Sequence, residues 1–151
     1  MIQRIQTIYL LLVAFIMIAM LFFPLGEIFP ETGDASSKFD AFGVHGQDNS
    51  AVWFLFVFPV SCTLLSILTI FFYNRRKLQI KLGYLTLFIF VLIYIVGIFF
   101  LWNLTQKQPL ATISLTIVST FPLIAFILEI LAIRGIKKDE KLIRSLSRLR
   151  S

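Results

Sequence analysis

Four apolar runs, each long enough to cross a bilayer, decide what this 151-residue chain can become. They are Ile5 to Pro24, Val52 to Tyr73, Leu82 to Trp102 and Leu110 to Ile133. A hydrocarbon core of about 30 Å takes roughly 20 apolar residues per spanning helix. In lipid every backbone polar group must be satisfied within its own segment, so runs of this kind form helices unless a barrel closes them. Barrel strands alternate polar and apolar residues, and these runs do not. With 58% apolar residues the chain is too greasy for a soluble domain, and the bilayer has to supply much of its solvent.

The distribution of charge orients the helices. Of fourteen Lys and Arg residues, twelve fall on one side of the runs: Arg4, the Arg75-Arg76-Lys77 cluster with Lys81, and seven in the tail after Ile133. Lys38 and Lys107 alone fall on the other side, beside Glu27, Glu31, Asp34, Asp40 and Asp48. Lys and Arg near helix ends mark the cytoplasmic face, which predicts a multi-pass inner-membrane protein with both termini inside. Short connections between the second, third and fourth runs force antiparallel neighbours, so the expected fold is an all-α, up-down-up-down bundle. Two regions follow: a transmembrane domain over 1–133, including an outer loop over 25–50, and a basic tail over 134–151. The first run is longer than a signal-peptide core and lacks a small-x-small cleavage site, so it reads as a retained anchor. The outer loop, punctuated by Pro30, Gly33, Gly43 and Gly46, is either a short hairpin capping the bundle or a mobile acidic segment.

Chemistry-bearing residues are sparse. Cys62 lies within an apolar run and has no partner for a disulfide, and it reads as a small buried side chain. His45 with a neighbouring carboxylate offers two metal ligands, short of the three or four that zinc takes. Asn103-Leu104-Thr105 matches a glycosylation sequon but abuts the membrane. No cofactor, metal site or catalytic residue is expected, since no nucleophile and base stand out as a pair. Glu129 is the one ionisable residue well inside an apolar run, and intramembrane carboxylates default to a functional reading. The plainer reading pairs it with Arg134, five residues on, or with the Arg75 to Lys77 loop. Thr112, Ser114, Thr116, Ser119 and Thr120 fleck the outer half of the fourth run, where they either line a shallow cavity or bond back to their own carbonyls.

The tail carries the most pronounced pattern. From Asp139, a candidate N-cap, Leu142, Leu146 and Leu149 recur at helical spacing, while Lys141, Arg144, Arg148 and Arg150 take other positions and Lys137 and Lys138 precede. This is a short basic amphipathic helix. Anionic lipid, a cytoplasmic protein and RNA are its candidate partners, nucleic acid being the weakest of the three.

The opening Met1-Ile2-Gln3-Arg4-Ile5-Gln6-Thr7-Ile8-Tyr9-Leu10-Leu11-Leu12, the Phe23-Pro24-Leu25 closing the first run, and the ending Lys137-Lys138-Asp139-Glu140-Lys141-Leu142-Ile143-Arg144-Ser145-Leu146-Ser147-Arg148-Leu149-Arg150 resemble a family of small four-helix membrane proteins from Bacteroidetes, a domain of unknown function. The resemblance implies a Gram-negative inner membrane with the acidic loop in the periplasm, and it carries over no catalytic residues. The function expected from these features is that of a non-enzymatic accessory or structural subunit of a larger inner-membrane assembly, serving protein export or envelope biogenesis and docking through tail and loop. The alternative is a small transporter or channel using Glu129 and the hydroxyls of the fourth run; an enzyme comes third.

Overall fold

The computed structural model describes residues 3–29, 37–44, 53–107 and 112–149. Four helices carry the fold: α1 (Gln3–Phe22), α2 (Trp53–Phe71), α3 (Arg76–Lys107) and α4 (Phe121–Leu149). Each contains a stretch long and apolar enough to cross a membrane. α1 packs on α2, α2 on α3, α3 on α4, and α4 closes the ring on α1.

The faces that meet inside the ring mix large apolar side chains with small and polar ones. α1 turns Gln6, Leu10, Val13, Ala14, Met17 and Met20 inward, and α2 turns Leu55, Pro59, Cys62, Ser66 and Thr69. α3 contributes Gln79, Thr86, Phe90 and Ile93, and α4 contributes Ala125, Glu129, Ala132, Ile136 and Asp139. All four sets follow helical spacing. Large side chains such as Phe15, Phe71, Phe88 and Trp102 point outward. The bulky apolar exterior follows from the solvent: lipid welcomes such groups, while small residues inside, such as Ala125, Ala132 and Gly83, let the helix backbones approach closely.

An all-α chain was expected, and here the structure corrects the sequence. One end of the bundle carries a four-stranded antiparallel sheet, ordered β3-β2-β1-β4, from β1 (Gly26–Phe29), β2 (Ser37–Asp40), β3 (Gly43–Val44) and β4 (Thr112–Leu115). Three strands come from the acidic loop. The fourth comes from residues assigned to the start of the last membrane run. Ile28 and Phe39 are buried on the face toward the bundle, where the Phe39 ring meets Phe100 edge to face at 6.3 Å. On the other face Glu27 lies opposite Lys38 and pairs with it at 3.4 Å. Gly26 allows the strands to close: a Cβ there would stand 2.5 Å from the Phe39 ring and 2.6 Å from the Ser114 carbonyl. A cavity of about 180 Å³, lined by Met20, Leu25, Ile93, Gly97, Leu101 and Pro122 among others, lies below this cap.

The helix limits also move. α3 begins within the basic loop, six residues earlier than the apolar run, because Lys and Arg propagate a helix well once outside lipid. After β4, Ile117–Thr120 makes one 3₁₀ turn before α4. α4 then continues through Arg134 to Leu149, so the expected boundary between bundle and tail at Ile133 and Arg134 is not an element boundary. Asp139 is accordingly not an N-cap but a residue in the middle of a helix. His45 lies outside the described residues, as do Glu31, Asp34, Asp48 and Arg150.

Candidate functional site

The polar residues of the interior form two groups at different depths. The deeper one centres on Glu129, whose side chain is fully buried and whose two carboxyl oxygens have no hydrogen-bond partner in the structure. α2 brings Cys62 within electrostatic reach of it, and one turn along the same face stands Ser66, also fully buried with an unpartnered hydroxyl. α3 brings Gly83 so close that a Cβ there would sit 3.2 Å from Glu129 Oε1 and 2.7 Å from Ile133 Cγ1. Gly83 thus makes the room that the carboxyl occupies. Thr86, one turn further along α3, is fully buried but returns its hydroxyl to the Leu82 carbonyl at 3.0 Å.

The expected pairing of Glu129 with Arg134 is not made: Arg134 is exposed, and Glu129 faces the interior. Residues five apart stand about 140° apart around a helix, whereas side chains three or four apart are the ones that meet. Nor do the hydroxyls of the fourth run join Glu129. Thr112 and Ser114 belong to β4, and the Thr116 amide donates to the Leu25 carbonyl at 2.9 Å. Ser119 and Thr120 bond back to the carbonyls of Thr116 and Ile117 at 2.8 and 2.6 Å. Thr120 precedes Glu129 by nine residues, about 13 Å of helix. Among the described residues no group of three His, Cys, Asp or Glu side chains is placed to hold a metal ion. The chemistry open to the Glu129 pocket is therefore that of one carboxyl and one hydroxyl in an apolar interior: holding a proton, or accepting a hydrogen bond from a guest.

The second group lies at the basic end and ties three helices together. Asp139 on α4 is nearly buried and accepts a hydrogen bond from Gln6 Nε2 on α1 at 2.6 Å. Arg76, at the first position of α3, stands 3.9 Å from the same Asp139 oxygen. Beside them Gln79 donates to the Thr69 carbonyl at 2.8 Å, one of the last four carbonyls of α2 that have no partner within their own helix. Gly135 gives Gln6 its seat, since a Cβ there would meet Gln6 Cγ at 2.9 Å. Sequence reasoning passed over Gln6 and Gln79, yet a signal existed: each opens the inward stripe of its helix, at Gln6-Leu10-Val13-Met17 and Gln79-Gly83-Thr86-Phe90.

The tail residues continue α4 on its outer side. Lys137, Lys138, Lys141 and Leu142 are exposed, and Lys137 Nζ donates to the Tyr84 hydroxyl while standing 4.9 Å from that ring's centroid, in cation–π range. Arg144, Leu146, Arg148 and Leu149 lie on the helix, but their side chains are outside the description.

Comparison with curated proteins finds no match. The model of one family, a domain of unknown function (DUF4293), matches residues 2–149, nearly the whole chain with both polar groups and the sheet inside the match. A four-helix membrane chain closed by a small sheet, with its opening and basic ending both within that match, belongs to the DUF4293 family.

Proposed function

We propose that the chain is a non-enzymatic accessory or structural subunit of a larger inner-membrane complex, one serving protein export or envelope biogenesis. It docks through the basic end of α4 and through the acidic sheet. The observation that carries this reading is the continuity of α4 with its anchorage. The helix does not break as it passes Ile133, and Asp139 fastens it to α1 and α3. Lys138, Lys141, Leu142 and Ile143 are thereby held out on a rigid support rather than on a tether. Preorganised surfaces of this kind lose less entropy on binding. The charge asymmetry between the two ends supports an up-down-up-down topology with both termini in the cytoplasm. The resemblance at the two ends of the chain supports a Bacteroidetes inner membrane with the sheet in the periplasm.

Purification of the native chain in mild detergent should then retain a stoichiometric set of inner-membrane proteins. That set should be lost when Leu142, Leu146 and Leu149 become Ala. Recovery of the chain alone, or only with copies of itself, would sink the reading. Orientation has its own test. In a Cys62→Ser background, cysteine in place of Ser145 should resist a membrane-impermeant maleimide in spheroplasts, and cysteine in place of Ser37 should react. The reverse pattern would invert the topology.

A second reading, transport of a proton or small ion through the bundle, keeps one observation in its favour: the unpartnered carboxyl of Glu129. Its proposed lining of hydroxyls has gone to β4 and the 3₁₀ turn. Glu129→Gln should leave complex formation unchanged if the chain is a subunit, and should abolish uptake into proteoliposomes if it is a carrier.

A further inference from the structure

The outer face that α3 and α4 share changes character abruptly along its length. On α3, Lys77, Lys81 and Tyr84 stand at i, i+4 and i+7, one stripe of a helix, and all are exposed. On α4, Arg134, Lys137 and Lys141, at i, i+3 and i+7, make a second exposed stripe. The stripes adjoin where Lys137 meets Tyr84. Further contacts run in opposite order along the two helices: Phe90 with Phe126, then Tyr94 with Ser119. The helices are thus antiparallel, and Lys81 and Lys141 each stand about one turn nearer the basic end than the Tyr84–Lys137 contact. Asp139 is turned inward to Gln6, and Glu140, half-buried beside Lys141, is the acidic residue that the described part of this stretch sets against five cations.

In the other direction the same face is apolar. Phe88, Val91 and Ile95 on α3 and Ile127 on α4 are exposed and continue the two stripes toward the sheet. A cationic seat at the end of an apolar strip fits an amphiphile of opposite charge. Free phosphate would leave the strip bare, and an acidic protein segment would meet the cations but not the apolar strip within the bilayer span. The cations come in two rungs roughly 6 Å apart, four residues of helix, so a headgroup with two phosphates can engage both.

We propose that the outer face of α3 and α4 is a binding site for a phospholipid bearing two phosphates, of the cardiolipin class. Lys81, Lys137 and Lys141 hold the headgroup, and the acyl chains lie along Phe88, Val91 and Ile127. Basic pockets between membrane helices suit such headgroups, each cation near the surface adding to retention. The site shares Lys141 with the proposed docking surface but does not depend on the subunit reading, because a lipid bound there needs no protein partner and the tail leucines take no part.

The test uses the full chain in phosphatidylcholine nanodiscs doped with either cardiolipin or phosphatidylglycerol at equal phosphate, released into native mass spectrometry. Cardiolipin should be retained at least roughly tenfold more than phosphatidylglycerol. Lys81→Gln with Lys137→Gln should remove that preference, and so in part should Lys141→Gln, a change at an exposed position that should leave the bundle intact. Lys38→Gln, at the other end of the molecule, should leave it unaltered. Equal retention of the two lipids would overturn the site. So would displacement of cardiolipin by millimolar inorganic phosphate, which would make the ligand a free ion, or an equal loss in Lys38→Gln, which would reduce the effect to bulk charge.

Discussion

Asp139→Ala should be the most damaging single change at the basic end, lowering stability by about 2–3 kcal/mol, since it strips a charged partner from two groups at once. Gln6 would keep its amide in a nearly buried position with no acceptor, and Arg76 would lose the one carboxylate described beside it. The geometry bounds the estimate: the 2.6 Å bond to Gln6 is short, whereas the 3.9 Å approach of the partly exposed Arg76 is long. Asp139→Asn separates the two contributions. It can still accept from Gln6 and gives up only the charge, so it should cost about 1 kcal/mol or less. Thermal unfolding of both variants in the same detergent checks the order. Equal losses would assign the effect to Arg76 rather than Gln6. The Ala variant should also expose the end of α4 to protease, because α1 and α3 are what Asp139 holds it against.

Glu129→Met should act in the opposite direction and stabilise the bundle by about 1–3 kcal/mol, the usual cost of a buried polar group without a partner. Methionine is similar in volume, adapts to irregular gaps and brings nothing that needs a hydrogen bond into the space opened by Gly83. A buried ion partner would reverse this expectation, since removing one member of such a pair is strongly destabilising. A lower unfolding temperature in Glu129→Met would therefore reveal a partner that the carboxyl acquires in the membrane. A gain in stability with loss of a cellular phenotype would mark Glu129 as a residue retained for function at the expense of stability.

The membrane helices were legible because their signal, twenty or so apolar residues in a row, depends on no partner. The sheet was legible only in part: a hairpin capping the bundle was one of the two readings of the outer loop, which β1, β2 and β3 realise, but the strand from the fourth run was not, and β4 shows why. Thr112-Ile113-Ser114-Leu115 adjoins an apolar run and differs from it only by two hydroxyls. What makes it a strand is the edge offered by Gly26 to Phe29, more than eighty residues earlier, and no local pattern records that pairing. Glu129 was singled out from its chemistry alone, but its surroundings were misjudged, since closeness in sequence to Arg134 was weighed without the 140° that separates them around the helix. The tail's basic, amphipathic character was plain. Its continuity with α4 was not, because the eye stops a helix where apolar residues stop, whereas Arg134, Lys137 and Lys138 are good helix formers. Gln6 and Gln79 looked like ordinary polar residues near a membrane surface until their phase with the inward stripes placed them.

The pairing of β1 with β4 also imposes an order of assembly. As the chain is made from its N-terminus, β1 emerges behind α1 with β2 able to fold against one edge, and its other edge lies open until Thr112 to Leu115 have been made and can reach it. α1 likewise waits for α4, its largest neighbour, to close the ring. The cap thus waits for β4 and the ring for α4, and a nascent chain halted before Thr112 would present an unpaired strand edge, open to pairing with another chain, and a helix face without its partner, an unfinished state of the kind that chaperones and proteases triage.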